Sequence, residues 1–101
     1  MLNDQEKEEI LSILKYHGNE TQIIKLGEEC GELSVMVLQR LCPTKDKASN
    51  EEKMYEELAD VYNVFHQAMM IFDSDRIKQI AAAKRMKHIL KHGIPRYSQK
   101  G

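Results

Sequence analysis

The chain is expected to fold as an all-α protein, a four-helix antiparallel bundle. Three observations lead there. Pro stands only at positions 43 and 95 and Gly occurs only five times, so strong helix breakers are confined to a few points. Ala, Leu, Glu, Lys, Met and Gln, all good helix formers, fill the stretches between. Apolar residues there recur at three and four, and no stretch alternates as a half-buried strand would.

The first helix is expected to begin at Asn3, where Asn3-Asp-Gln-Glu6 matches a capping box, to bury Ile10, Ile13 and Leu14, and to stop at Gly18. The second starts near Asn19 to Thr21 and runs to about Leu41, ahead of Pro43. Its main stripe is Ile23, Leu26, Cys30, Leu33, Val37 and Leu41, widened by Val35, Met36 and Leu38. Pro43 to Asn50 is expected as a polar loop, with Ser49-Asn-Glu-Glu52 a second capping box opening the third helix, which continues to Phe72. Leu58, Val61, Tyr62, Phe65, Met69 and Phe72 form its stripe. Asp73, Ser74 and Asp75 supply the cap of the fourth helix, which carries Ile77, Ile80, Ala83, Met86 or Lys87, and Leu90 along one side and ends at Gly93.

One hundred and one residues suit a single domain with a modest core. We take residues 1–101 as one helical domain with its core at about 20–92 and a loose tail at 93–101. The two long helices are apolar over more of their girth than one short chain can cover, so a homodimer or homotetramer is expected. Fifteen basic residues against sixteen acidic ones give a net charge of -1, which argues against a nucleic-acid polymer as partner. No apolar run is long enough to span a bilayer and MLNDQEKEEI lacks the form of a signal peptide, so a cytoplasmic protein without a membrane partner is expected. Cys30 and Cys42, twelve residues apart on one expected helix, stand about 18 Å apart and cannot bridge within the chain. Cys30 reads as a small core residue.

Two acidic pairs carry the chemistry, Glu29 with Glu32 and Glu57 with Asp60, each at the i,i+3 spacing that places both side chains on one helix face. Glu6 and Glu9 share that spacing, but Lys7 lies between them, whereas no Lys or Arg occurs from Leu26 to Gln39 or from Met54 to Asp75. Two carboxylates about 5 Å apart repel by roughly 3 kcal/mol at an effective dielectric near 20. Cationic side chains from another helix, protonation, or a hard divalent cation such as Mg²⁺ or Mn²⁺ can relieve this. Lys25 and Lys53 stand one turn before Glu29 and Glu57 and can offset part of it. Glu28 is placed to act as an outer ligand or as the base that takes a proton from water. Asn63, one turn beyond Asp60, can reach a metal-held water or a sugar, or sit as a buried amide. His66 reads as a core or interface histidine rather than a ligand, and Tyr62 and Phe65 read as core residues, either of which can also border a base.

The string EECGEL followed by EELADVYNV, with 24 residues between Glu32 and Glu57, resembles the Glu-x-x-Glu, spacer, Glu-x-x-Asp signature of the MazG-like all-α nucleotide pyrophosphohydrolases. The resemblance covers about Gln22 to Lys91. It implies hydrolysis of a nucleoside triphosphate between its α and β phosphates, with Mg²⁺ (Mn²⁺ as a substitute) held by Glu29, Glu32, Glu57 and Asp60. Glu28 and Glu29 are then the catalytic candidates, and Gln22, Lys25, Asn63, Lys84, Lys87 and His88 the substrate-binding ones. The chain departs from the family pattern at Ala82, where Asn often stands, and at His88, where Arg does, which weakens the phosphate clamp more than the metal site. Two other functions fit the same features: a non-catalytic helical module binding a basic partner through its acidic face, and a phosphoribosyl-nucleotide pyrophosphohydrolase.

Overall fold

The computed structural model describes residues 2–41 and 47–97, and among these it contains four helices and no strand: α1 (Asp4–His17), α2 (Asn19–Gln39), α3 (Lys47–Ile71) and α4 (Ser74–His92). The chain is therefore all-α, as its composition and periodicity predict.

The helix ends follow from local chemistry. The Asn3 side chain accepts from the Glu6 backbone N–H at 2.8 Å while the Glu6 carboxylate accepts from the Asn3 backbone N–H at 3.1 Å, the reciprocal bonds of a capping box. Gly18, at φ 90°, ends α1 and turns the chain directly into α2. The Asp73 side chain caps α4 through the Arg76 N–H, and Gly93, left-handed at φ 58°, closes it. Two boundaries differ from expectation. α3 begins at Lys47, two residues before the expected Ser49 box, so the loop is shorter than Pro43 to Asn50. α2 ends at Gln39, leaving Leu41 82% exposed in the turn beyond it. Cys42, Pro43 and residues 98–101 of the tail lie outside the described residues.

α2 and α3 form the central hairpin. Gln22 meets Gln67, Glu29 meets Glu57 and Asp60, and Arg40 pairs with Glu51 at 3.2 Å; the partner's number falls as that on α2 rises, so the helices run antiparallel. Their seam repeats in threes and fours: Gln22, Leu26, Glu29, Leu33 and Met36 on α2, and Met54, Glu57, Val61, Val64 and Ala68 on α3, all buried or half-buried. α1 lays Ile10 and Leu14 against this hairpin. Among the described residues, α4 packs against α3 alone of the helices and buries no side chain.

Much of the expected core is displaced. On α1, Ile13 is exposed. On α2, Cys30 and Val37 are exposed, as are Val35 and Leu38. On α3, Leu58, Tyr62 and Phe65 are nearly half exposed, as are Ile80 and Met86 on α4, and Phe72, just past the end of α3, is exposed. At about 100° per residue, Ile23, Cys30 and Val37 lie roughly 60–100° round α2 from its seam, and Leu58, Tyr62 and Phe65 roughly 60–120° round α3 in the same sense. On antiparallel helices that places both stripes on one side of the hairpin. Lys25, Asp60 and Asn63 are rotated the other way, toward α1, where they share a cleft with Ile13 and His17.

Candidate metal centre

Polar residues interrupt the apolar seam where α2 and α3 cross beside α1. Gln22 and Glu29 are seven residues apart on α2, Asp60 and Gln67 seven apart on α3, so each pair lies on one face two turns apart. Their helices carry them to a common cleft of about 390 Å³, walled also by Ile13, His17, Thr21, Lys25, Asn63 and Val64.

Glu29 and Asp60 line this cleft, and one carboxylate oxygen each from Glu29, Asp60 and the neighbouring Glu57 lie within 4.8 Å of one another. Glu29 is 5% exposed, Glu57 half-buried and Asp60 open to solvent. One oxygen of Glu29 accepts from the Lys25 ammonium at 3.1 Å. The other, with Oε2 of Glu57, is buried and has no hydrogen-bond partner. Burial pushes the Glu57 carboxyl above its ordinary range, and the charges of Glu32, Asp60 and Glu29 push it further. Lys25 is held above its ordinary value by its bond to Glu29 and by the charges of Glu29, Glu28 and Glu32. The four motif carboxylates thus form one electrostatic group, and among the described residues Lys25 is the cation paired with it.

This donor set fits a hard divalent ion. It is oxygen-only, two of its oxygens are buried without partners, and one side opens to solvent, where waters or phosphate oxygens can complete the shell. Glu29, Glu57 and Asp60 are the residues that would hold the ion, with Glu32 next to Glu57. One bound divalent cation would relieve the repulsion that Lys25 alone does not.

The remaining expected residues divide. Lys25, Gln22 and Asn63 line the cleft. Gln22 is 6% exposed and its amide donates to the Gln67 side chain, so it belongs to the cleft floor, and Asn63 is exposed rather than a buried amide. Glu28 is exposed and outside the three convergent oxygens. Among the described residues Lys53 makes no ion pair with Glu57. Lys84, Lys87 and His88 line a separate basic pocket with Lys91, to which no carboxylate contributes. Tyr62 is no core residue: its hydroxyl donates to Glu6 at 3.1 Å. His66 is half-buried, its ring 4.5 Å from that of Tyr62 and 5.6 Å from that of Phe65. Gln67, at 2% exposed the most buried side chain described, escaped the sequence reading although its spacing from Asp60 pointed to it.

No helix among the described residues is long and apolar enough to cross a membrane. Comparison with family models, with curated proteins and with solved structures finds no match to this chain.

Proposed function

We propose that the chain is a Mg²⁺-dependent nucleotide pyrophosphohydrolase of the MazG-like type, cleaving a nucleoside triphosphate to a monophosphate and pyrophosphate in a cytoplasmic homodimer or homotetramer. The observation that carries this reading is the convergence of Glu29, Glu57 and Asp60, with two buried carboxylate oxygens left without partners, beside a cleft that Glu29 and Asp60 line. Mn²⁺ has the same preference for oxygen and should substitute.

A divalent ion held by these carboxylates would polarise a phosphoryl oxygen and neutralise charge on it. The chain's own groups do the rest. Water attacks the α phosphorus, the bond from that phosphorus to the bridging oxygen breaks, and pyrophosphate leaves with the electron pair. Glu28, exposed beside the cluster, accepts the proton given up by the water. Lys25, already at the cleft with its ammonium on Glu29, is the nearest cation for a phosphate, ahead of Lys84, Lys87 and His88 in their separate pocket. Asn63 offers an amide at the cleft wall for the sugar.

The test is a panel of ribo- and deoxynucleoside triphosphates with Mg²⁺, scored for monophosphate and pyrophosphate, with phosphoribosyl nucleotides included. Glu57→Gln should cut turnover by at least 100-fold, since it removes charge from the proposed ion site while retaining side-chain volume. A wild-type chain without pyrophosphate release, or a variant with full turnover, would return the chain to the reading of a non-catalytic acidic module.

A further inference from the structure

We infer that His88 and His92 form a chelate for a borderline divalent transition ion, Ni²⁺ or Cu²⁺, on the exposed face of α4, apart from the carboxylates and independent of the chemistry proposed for them. The two residues stand four apart on one helix face, the spacing at which a pair of imidazoles grips a single ion. Their ring centres are 4.6 Å apart and their planes are tilted at 58°, so the rings are side by side without being stacked. With bonds of about 2.1 Å from ion to nitrogen, two imidazoles on one ion have ring centres roughly 4.6 Å apart when they meet at a right angle and roughly 5.3 Å apart at the tetrahedral angle. The observed spacing is the right-angled one, which suits the tetragonal shells of Cu²⁺ and Ni²⁺ better than the tetrahedral shell of Zn²⁺. Both side chains are exposed, so the rings can turn their nitrogens to an ion without disturbing the core.

The surroundings set how such an ion behaves. Among the described residues no third His, Cys, Asp or Glu joins the pair, so water fills the remaining positions. Lys84, Lys87 and Lys91 share a pocket with His88, and their ammonium groups oppose a further cation. Salt screens that opposition and should tighten binding here, whereas it should loosen an ion held by carboxylates. α4 buries no side chain and, among the described residues, rests on α3 alone of the helices. An ion bridging residues 88 and 92 requires the last turns of α4 to be helical and therefore stabilises them by mass action.

The probe is Ni²⁺, added below one equivalent to the whole chain in the presence of millimolar Mg²⁺, and followed through the ring-proton NMR signals of the four histidines. The signals of His88 and His92 should broaden together, ahead of those of His17 and His66, and amide exchange should slow in the last turns of α4. By calorimetry His88→Gln and His92→Gln should each weaken binding roughly tenfold or more, because the second imidazole acts as an intramolecular ligand, while His17→Gln should leave it unchanged. Both substitutions fall on exposed positions, so the fold is not at stake. Raising the ionic strength from about 0.01 to about 0.15 M shortens the Debye length from about 30 to about 8 Å and should tighten binding. Broadening first at His17 or His66, either variant binding like the parent, or binding weakened by salt would overturn the inference. Absence of pyrophosphate release would not touch it.

Discussion

At the scale of single residues, Glu57 decides how the site behaves with pH. Its carboxyl is raised by burial and by the neighbouring charges of Glu32, Asp60 and Glu29, so the native state holds that proton more tightly than the unfolded chain. For an acid shifted upward, native stability is greatest below the unfolded value near 4.5 and declines as pH rises toward the raised folded value. The metal-free protein should therefore melt lower at neutral pH than its other interactions dictate. Glu57→Gln, which stays uncharged, should raise the melting temperature of the metal-free protein at pH 7 and leave it unchanged near pH 4. Melting curves of both chains across that range, in the presence of a chelator, check this; a variant less stable than the parent at pH 7 would mean that Glu57 is held by favourable contacts instead. Glu6 moves the opposite way. Its bonds from the Asn3 backbone and the Tyr62 hydroxyl hold it below the ordinary carboxylate range, so its stabilising effect is complete above about pH 4.5 and fades as pH falls.

At the scale of helices, the chain separates what can be read locally from what cannot. Asn3→Ala removes a side-chain cap and should destabilise by about 1 kcal/mol, seen as an earlier thermal or urea transition. The Gln22–Gln67 pair is a different case, because two buried amides satisfy one another across the hairpin. Gln67→Leu strands the Gln22 donor and should cost about 1–3 kcal/mol, whereas Gln22→Leu with Gln67→Leu should recover most of that loss. A double variant no better than the single would show that packing, not pairing, fixes these residues. Asn3, Gly18, Asp73 and Gly93 were legible in the sequence because a cap is chemistry between residues a few places apart. The acidic pairs were legible through the lack of nearby cations, and so was the reach of Lys25 to Glu29, one turn away. The rotation of α2 and α3 about their axes was not. A sequence stripe gives the mean direction of apolar residues, and on a helix apolar over two faces that mean need not point at the partner. The α3 stripe read from Leu58 and Phe65 lies beside the true seam of Val64 and Ala68, and Gln22, Glu29 and Gln67 take seam positions that polarity alone would have sent to the surface.

At the scale of the whole molecule, the polar cleft on one side of the hairpin and the apolar face on the other ask for different partners, and their contributions to stability should be separable. A divalent ion that binds only the folded chain stabilises it in proportion to the logarithm of its concentration, and a second copy does the same through protein concentration. With Mg²⁺ at ten times its dissociation constant the gain is about 1.4 kcal/mol, or roughly 5–10 °C for a domain of this length. Mn²⁺ should act likewise, and Glu57→Gln should abolish the response to both ions while leaving the dependence on protein concentration in place. Phe65→Glu, if folded, should do the reverse, flattening the concentration dependence and keeping the response to Mg²⁺, because the carboxylates of each cleft come from one chain. A melting matrix of two ion concentrations by two protein concentrations for the parent and both variants reads all of this at once. Indifference of the parent to millimolar Mg²⁺ and Mn²⁺ would remove the ion from the cleft. Loss of both responses in Phe65→Glu would mean that the cleft is formed only in the assembly.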